Sequence, residues 1–469
     1  MMPHRLTLRD MAAKIRERRL SPVELMDAHL RQIEKHNPRV NAFITLLADQ
    51  ARAEAHRAEE EQMQGVFRGA LHGVPVTVKD SFDMAGLPTT CGSRFFQDLR
   101  AASDATAVRR LRAAGAIPVG KTNCPEFLYN YETDNNIAGR TNNPWNLERT
   151  PGGSSGGESA AISAFFSAGG IGSDGGGSIR IPAHFCGIAG LKPTPGRCSA
   201  AGHLPEINHP GGLLGVGGPM ARTARDVQAL FEVLQGYDAD DPFSAPVPLR
   251  RVSIEGARIG VVEQFYNVPV QPAAREAVRK AAGLLQDAGF IVEPFEPQGL
   301  ERAPNLWWFF FGQVPSRILA ELIAGREDQA HWTGLELVQR ALAEPEPTYR
   351  RMVDNFAVRD KLRGSMLRQM ESCAALLTPA CGVSAWPHGQ RRFQTDGKEI
   401  GLFEAMMPAT WLNLLGLPGV VVPMTFDADN MPVGVQLVGR AWDEETILEI
   451  AVRLEEARGP FPSPPAFAD

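Results

Sequence analysis

Two periodicities of apolar and polar positions run through this chain in alternation. In HGVPVTVKD (72–80), Val74, Val76 and Val78 fall on one strand face and Thr77 and Lys79 on the other. Short apolar runs at 116–119, 259–262, 374–377 and 420–423 predict further strands. Helical spacing predicts helices over 51–64, 107–114, 222–234, 273–288 and 444–456. Ser21-Pro22-Val23-Glu24 is a capping box with proline at the first helical position, followed by an apolar stripe of Val23, Leu25, Met26, Leu30 and Ile33. The strand, helix, strand order across 74–119 is a βαβ unit. The pattern predicts an α/β fold, a single large domain over 5–457 with a central mixed β-sheet covered by helices on both faces. A proline-rich C-terminal tail, 458–469, follows as an extended segment.

One stretch breaks this order. Residues 300–356 carry Trp307-Trp-Phe-Phe-Phe311 and then Trp332. Consecutive aromatics cannot share one helix face, so some pack in a core or line a cleft. Trp307, Phe310 and Trp332 are the candidates for an apolar substrate pocket, against the plainer reading that they are core.

Composition narrows the class. A chain of 469 residues with net charge −6 can bury a large core, and its charge gives no reason to expect nucleic acid or an anionic membrane as partner. The start MMPHRLT lacks the apolar region of a secretory signal, and no apolar run reaches membrane-spanning length, so the default expectation is a cytoplasmic protein. Six cysteines, at 91, 124, 186, 198, 373 and 381, form no C-x-x-C pair and no zinc spacing, so free buried thiols are expected, with no metal and no cofactor.

The chemistry concentrates at 151–182, PGGSSGGESAAISAFFSAGGIGSDGGGSIRIP. Two serine-bearing glycine loops, 152–157 and 175–178, flank a short apolar stretch. Glycine lets such loops turn several amide N–H groups toward one small anion. Donors aimed at one point stabilise an oxyanion. A serine beside them needs a base. Lys79 is one candidate, because burial disfavours its charged form and a neutral amine accepts protons. The ten histidines are the other, although none stands in a recognisable pairing with either loop. Taken alone, a serine-glycine loop is more often a turn, and a lysine at a strand end more often a solvated charge.

Two rival patterns also match. GAIPVGKT (115–122) fits a phosphate loop, but its apolar interior suits a buried strand and Pro125 stands where the required helix would begin. GSSGG (153–157) fits a nucleophile elbow centred on Ser155, with His331 or His388 as partner, but a turn-rich approach with two prolines replaces the strand that motif needs.

In order along the chain, GVPVTVKD (73–80), GKTNCPEF (120–127), PGGSSGGESAA (151–161), GSDGGGSIRIPA (172–183), GLKPTPG (190–196), GPMART (218–223) and NLLGLPGVVVP (413–423) resemble the amidase signature family. The resemblance spans almost the whole chain, and several ordered motifs are far more specific than one. It implies a Ser–cisSer–Lys triad in which Ser178 is the nucleophile, Ser154 the relay after a cis peptide bond, and Lys79 the general base. It further implies that the amides of Gly175, Gly176, Gly177 and Ser178 hold the tetrahedral oxyanion, at about 3 kcal/mol per donor. Ser155 supports the hydrogen-bond network, and Asp174 and Arg180 orient the nucleophile loop, unless they form only a structural ion pair.

The function this implies is hydrolysis of a linear amide, the small-molecule substrate, through an acyl-enzyme on Ser178. Esters or carbamates with an aryl or apolar group would pass through a similar intermediate, in a monomer or homo-oligomer. An alternative within the family is the glutamine-hydrolysing subunit of a tRNA-dependent amidotransferase, which requires partner subunits. A catalytically inactive scaffold is the alternative of another class, and the occupied triad positions count against it.

Overall fold

Strand β2 (Pro75–Lys79) shows why the chain folds as it does. Val76 and Val78 enter a core with Val108 and Leu111 from the helix Thr106–Ala113, while Thr77 and Lys79 point to the opposite face, as the alternation predicts. The structure is a computed structural model, and it describes residues 2–206, 214–266 and 268–467.

Among the described residues ten further strands join β2 in one sheet. They are β1 (Phe43–Leu46), β3 (Ile117–Thr122), β4 (Gly169–Asp174), β5 (Ala189–Lys192), β6 (Val216–Ala221), β7 (Arg258–Val261), β8 (Ile291–Pro294), β9 (Ala375–Pro379), and the pair β12 (Gly419–Phe426) and β13 (Pro432–Val438). A separate hairpin holds β10 (Arg392–Thr395) and β11 (Lys398–Gly401). The order across the sheet is β1-β3-β2-β4-β6-β5-β12-β13-β9-β7-β8. β2 lies parallel to β3 and β4, β7 parallel to β8 and β9, and the centre is antiparallel, so the sheet is mixed. Both faces are buried. Val420 and Val422 of β12 join the core beneath the helices Ala224–Leu234 and Glu444–Arg458, while Val421 joins a second core with Ile162 and Ile179.

The expected helices form within two or three residues of their predicted ends. Ser21 caps Pro22–Val40 by accepting hydrogen bonds from the amides of Val23 and Glu24. The motif at 115–122 is not a phosphate loop: residues 117–122 are buried strand β3, and Lys121 Nζ sits 2.8 Å from Asp80 Oδ1. The tail is extended only in part. Phe467 is buried against the His36 ring, centroids 4.8 Å apart, and its carbonyl accepts from Arg5; Ala468 and Asp469 lie outside the described residues. Residues 300–356 fold as helices, with a π-helical turn at Trp308–Gln313, on a core they share with Leu376 of β9, Val438 of β13 and Trp411 and Leu412 of the helix Leu402–Leu415. All six cysteines are free and buried, and no described helix is long and apolar enough to cross a membrane.

Candidate active site

The sheet and two glycine loops bring Lys79, Ser154 and Ser178 to one place. Lys79 ends β2 with its side chain fully buried. Its Nζ lies 2.7 Å from Ser154 Oγ, 3.0 Å from Ser155 Oγ and 3.0 Å from Ser173 Oγ, and it donates to the Ser173 carbonyl at 3.4 Å. Burial lowers its pKa from the ordinary 10.5 to about 8, against the opposing pull of Cys124, Cys91, Asp174 and Glu158. A neutral amine here has two protons for Ser155 and the Ser173 carbonyl and a lone pair for the Ser154 hydroxyl. The Gly153–Ser154 peptide bond is cis.

Glu158 stands on the same face. It enters from the helix Gly156–Ser163, accepts from Thr122 Oγ1 at 2.8 Å and from Thr77, and burial raises its pKa to about 7. Strand β4 must therefore be glycine here: a Cβ on Gly170 would lie 2.1 Å from Glu158 Oε1.

The second loop, 175–178, hangs between β4 and the helix Arg180–Cys186. Gly177 needs φ = +113°, open to glycine alone without strain. Asp174 and Arg180 make a fully buried two-point pair, Nε to Oδ2 and Nη2 to Oδ1 each at 3.0 Å. Burial pushes the Asp174 carboxyl up, but the Arg180 guanidinium outweighs it and holds it well below the usual carboxylate range. Arg180 also donates to Asn413 Oδ1, Gln436 Oε1 and the Ala409 carbonyl, and Asn413 Nδ2 returns to Asp174. Asp174 also accepts from the amides of Gly177 at 2.7 Å and Ile179 at 3.0 Å, which ties the pair to the backbone of the loop.

That contact corrects one expectation. The Gly177 amide is committed to Asp174, so it is not available to an oxyanion; among the described residues the amides of Gly175, Gly176 and Ser178 have no hydrogen-bond partner. The elbow reading also fails. Ser155 Oγ donates to the Ser173 carbonyl at 3.1 Å behind the loop, and no strand precedes it. His331 binds Thr333, and His388 sits beside Glu132.

A cavity of about 300 Å³ opens onto Ser154 and Ser178. Its apolar walls come from Phe96, Phe127, Leu128 and Tyr129 and from Phe310, Phe311, Pro315, Ile318 and Leu319. Of the three aromatic candidates, only Phe310 lines it. Trp307 is buried behind Phe311, and Trp332 is 39% exposed elsewhere, under the Arg391 guanidinium. Tyr129 carries no signal in the sequence, Phe311 is marked only as part of the aromatic segment 307–311, and Asn413 has no role assigned to it by the pattern. The signals for Asn413 are a lone amide in the apolar run WLNLLGL and its place at the head of the motif NLLGLPGVVVP. Among the described residues no three His, Cys, Asp or Glu side chains converge as a metal site.

Comparison with known proteins places the whole chain. The chain is 36% identical over 476 residues, 95% of each chain, to a glutamyl-tRNA(Gln) amidotransferase subunit of Roseiflexus sp. (strain RS-1). It also superimposes on a 6-aminohexanoate cyclic dimer hydrolase with TM-score 0.86, 29% identity and 99% of each chain covered. A bacterial aryl acylamidase of the amidase signature enzymes matches with TM-score 0.87 and 26% identity, covering 98% of this chain and 97% of that one. The amidase family model matches residues 24–448, and on that match this chain belongs to the amidase signature family, whose enzymes hydrolyse carbon–nitrogen bonds.

Proposed function

We propose that the protein hydrolyses linear amides bearing an aryl or other bulky apolar group, and that esters and carbamates of the same shape are further substrates. Ser178 Oγ attacks the carbonyl carbon while its proton passes through Ser154 to Lys79. The amides of Gly175, Gly176 and Ser178 hold the oxyanion. Collapse breaks the C–N bond, the departing amine takes the proton, and water then releases the acid from Ser178 by the same relay.

The apolar cavity against Ser178 is the observation that carries this reading. It also weighs against glutamine, although the relatives named above include an amidotransferase subunit. The α-carboxylate of glutamine calls for a cation, and the described lining holds no lysine or arginine. Its one carboxylate outside an ion pair, Glu206, would suit the α-ammonium of glutamine but leaves the α-carboxylate without a counter-charge.

A fluorophosphonate should label Ser178, located by peptide mass spectrometry, and Ser178→Ala should abolish both labelling and turnover. Labelling at Ser155, or ammonia release from glutamine faster than hydrolysis of an acyl anilide, would overturn the reading. Phe310→Ala should lower kcat/KM for an aryl amide by about 1–3 kcal/mol and leave acetamide nearly unaffected. An equal loss on both substrates would assign Phe310 to the core alone.

A further inference from the structure

We propose that Trp307 and Tyr131 are positioning residues that aim the Gly176 amide at the reacting carbonyl; this rests on Ser178 being the nucleophile. The Trp307 indole N–H donates to the Gly175 carbonyl at 2.9 Å, and the Tyr131 hydroxyl donates to the Gly176 carbonyl at 2.9 Å. Both side chains are buried, and neither lines the cavity, whereas Gly175 and Ser178 do.

A trans peptide unit is planar, with its carbonyl and the following N–H pointing in opposite directions. Holding the Gly175 carbonyl on the indole therefore turns the Gly176 N–H to the side away from Trp307. The next peptide plane is gripped at both ends: Tyr131 holds the Gly176 carbonyl, and Asp174 holds the Gly177 N–H at 2.7 Å. Rotation of either plane would spoil the donor geometry, and stabilisation of this kind depends on donors fixed before the charge develops.

The loop is shaped to seat these rings. A Cβ on Gly176 would come within 2.4 Å of Trp307 Cζ2 and 3.0 Å of the Tyr131 hydroxyl oxygen, and a Cβ on Gly175 within 2.6 Å of Phe311 Cε2. Phe311 in turn stacks on Trp307, centroids 4.7 Å apart and planes at 16°. The ring that meets the substrate thus backs the ring that holds the loop, so the aromatic segment contributes to the chemistry as well as to the pocket wall.

Trp307→Phe removes the N–H and keeps a ring in the stack; Tyr131→Phe removes only the hydroxyl. Each should lower kcat about tenfold with KM unchanged. Each should weaken, by the same factor, the affinity for an aryl boronic acid that forms a tetrahedral adduct with Ser178. A merely structural role would lower the melting temperature without this matched loss in kcat and boronate affinity. If both variants keep kcat and boronate affinity within twofold of the parent, the assignment is wrong. A parent enzyme that binds no boronate at Ser178 would instead overturn the nucleophile reading, and this assignment with it.

Discussion

Lys79→Met is expected to lower kcat by about 10⁴-fold or more, the scale on which members of a hydrolase triad act together. Only the neutral amine can take a proton from Ser154, and burial brings the Lys79 pKa down to about 8. Activity of the parent should therefore rise from pH 6 and level off above about 9, with roughly a tenth of the amine neutral at pH 7. The stability effect has the opposite sign to that of an ordinary ion pair. The folded value lies below the unfolded 10.5, so between about 8 and 10.5 the unfolded chain binds more protons and stability rises with pH; below 8 the full burial penalty remains. Removing the charge removes the penalty, so at pH 7 the melting temperature of Lys79→Met should not fall. A pH–rate profile that is flat from 6 to 10, or a variant with near-normal turnover, would contradict the role given to Lys79.

The lysine was legible because β2 alternates cleanly, which put Lys79 on the face opposite Val76 and Val78 before any contact was known. Strands β4 and β6 were not. GGIGSD and VGGPMA carry no apolar alternation, and their glycines read as loops, yet they pair with each other over six residues beside β2. Their glycines serve close approach, as Gly170 does beneath Glu158, and that requirement comes from another part of the chain. The aromatic segment failed differently. Its chemistry was visible, but which ring meets the cavity depends on the π-helical turn at Trp308–Gln313 and on Tyr129, whose hydroxyl donates to the Gly312 carbonyl at 3.0 Å from 183 residues away. No local pattern encodes a partner that distant. Trp332 could not be told from Phe310 by composition, and Trp307 proved to touch the glycine loop instead of the cavity.

Arg180→Met is expected to cost about 3–5 kcal/mol of stability, because it leaves the Asp174 carboxylate buried without its main partner. Urea unfolding at pH 7 measures this directly. Turnover should fall too, since Asp174 holds the Gly177 and Ile179 amides and with them the loop before Ser178. Adding Asp174→Asn should return part of the stability, by removing the stranded charge, but little of the activity, because the amide is a weaker acceptor for those N–H groups. Acid provides the second test. In the parent the folded Asp174 value lies below the unfolded 3.8, so its contribution is present above about pH 4 and is lost only as pH falls through the folded value. Without Arg180, burial dominates and the carboxyl protonates in milder acid. The stability gap between parent and Arg180→Met should therefore narrow from pH 7 to pH 4. A gap that stays constant over that range would show that Arg180 acts through its bonds to Asn413, Gln436 and Ala409 and not through the charge of Asp174.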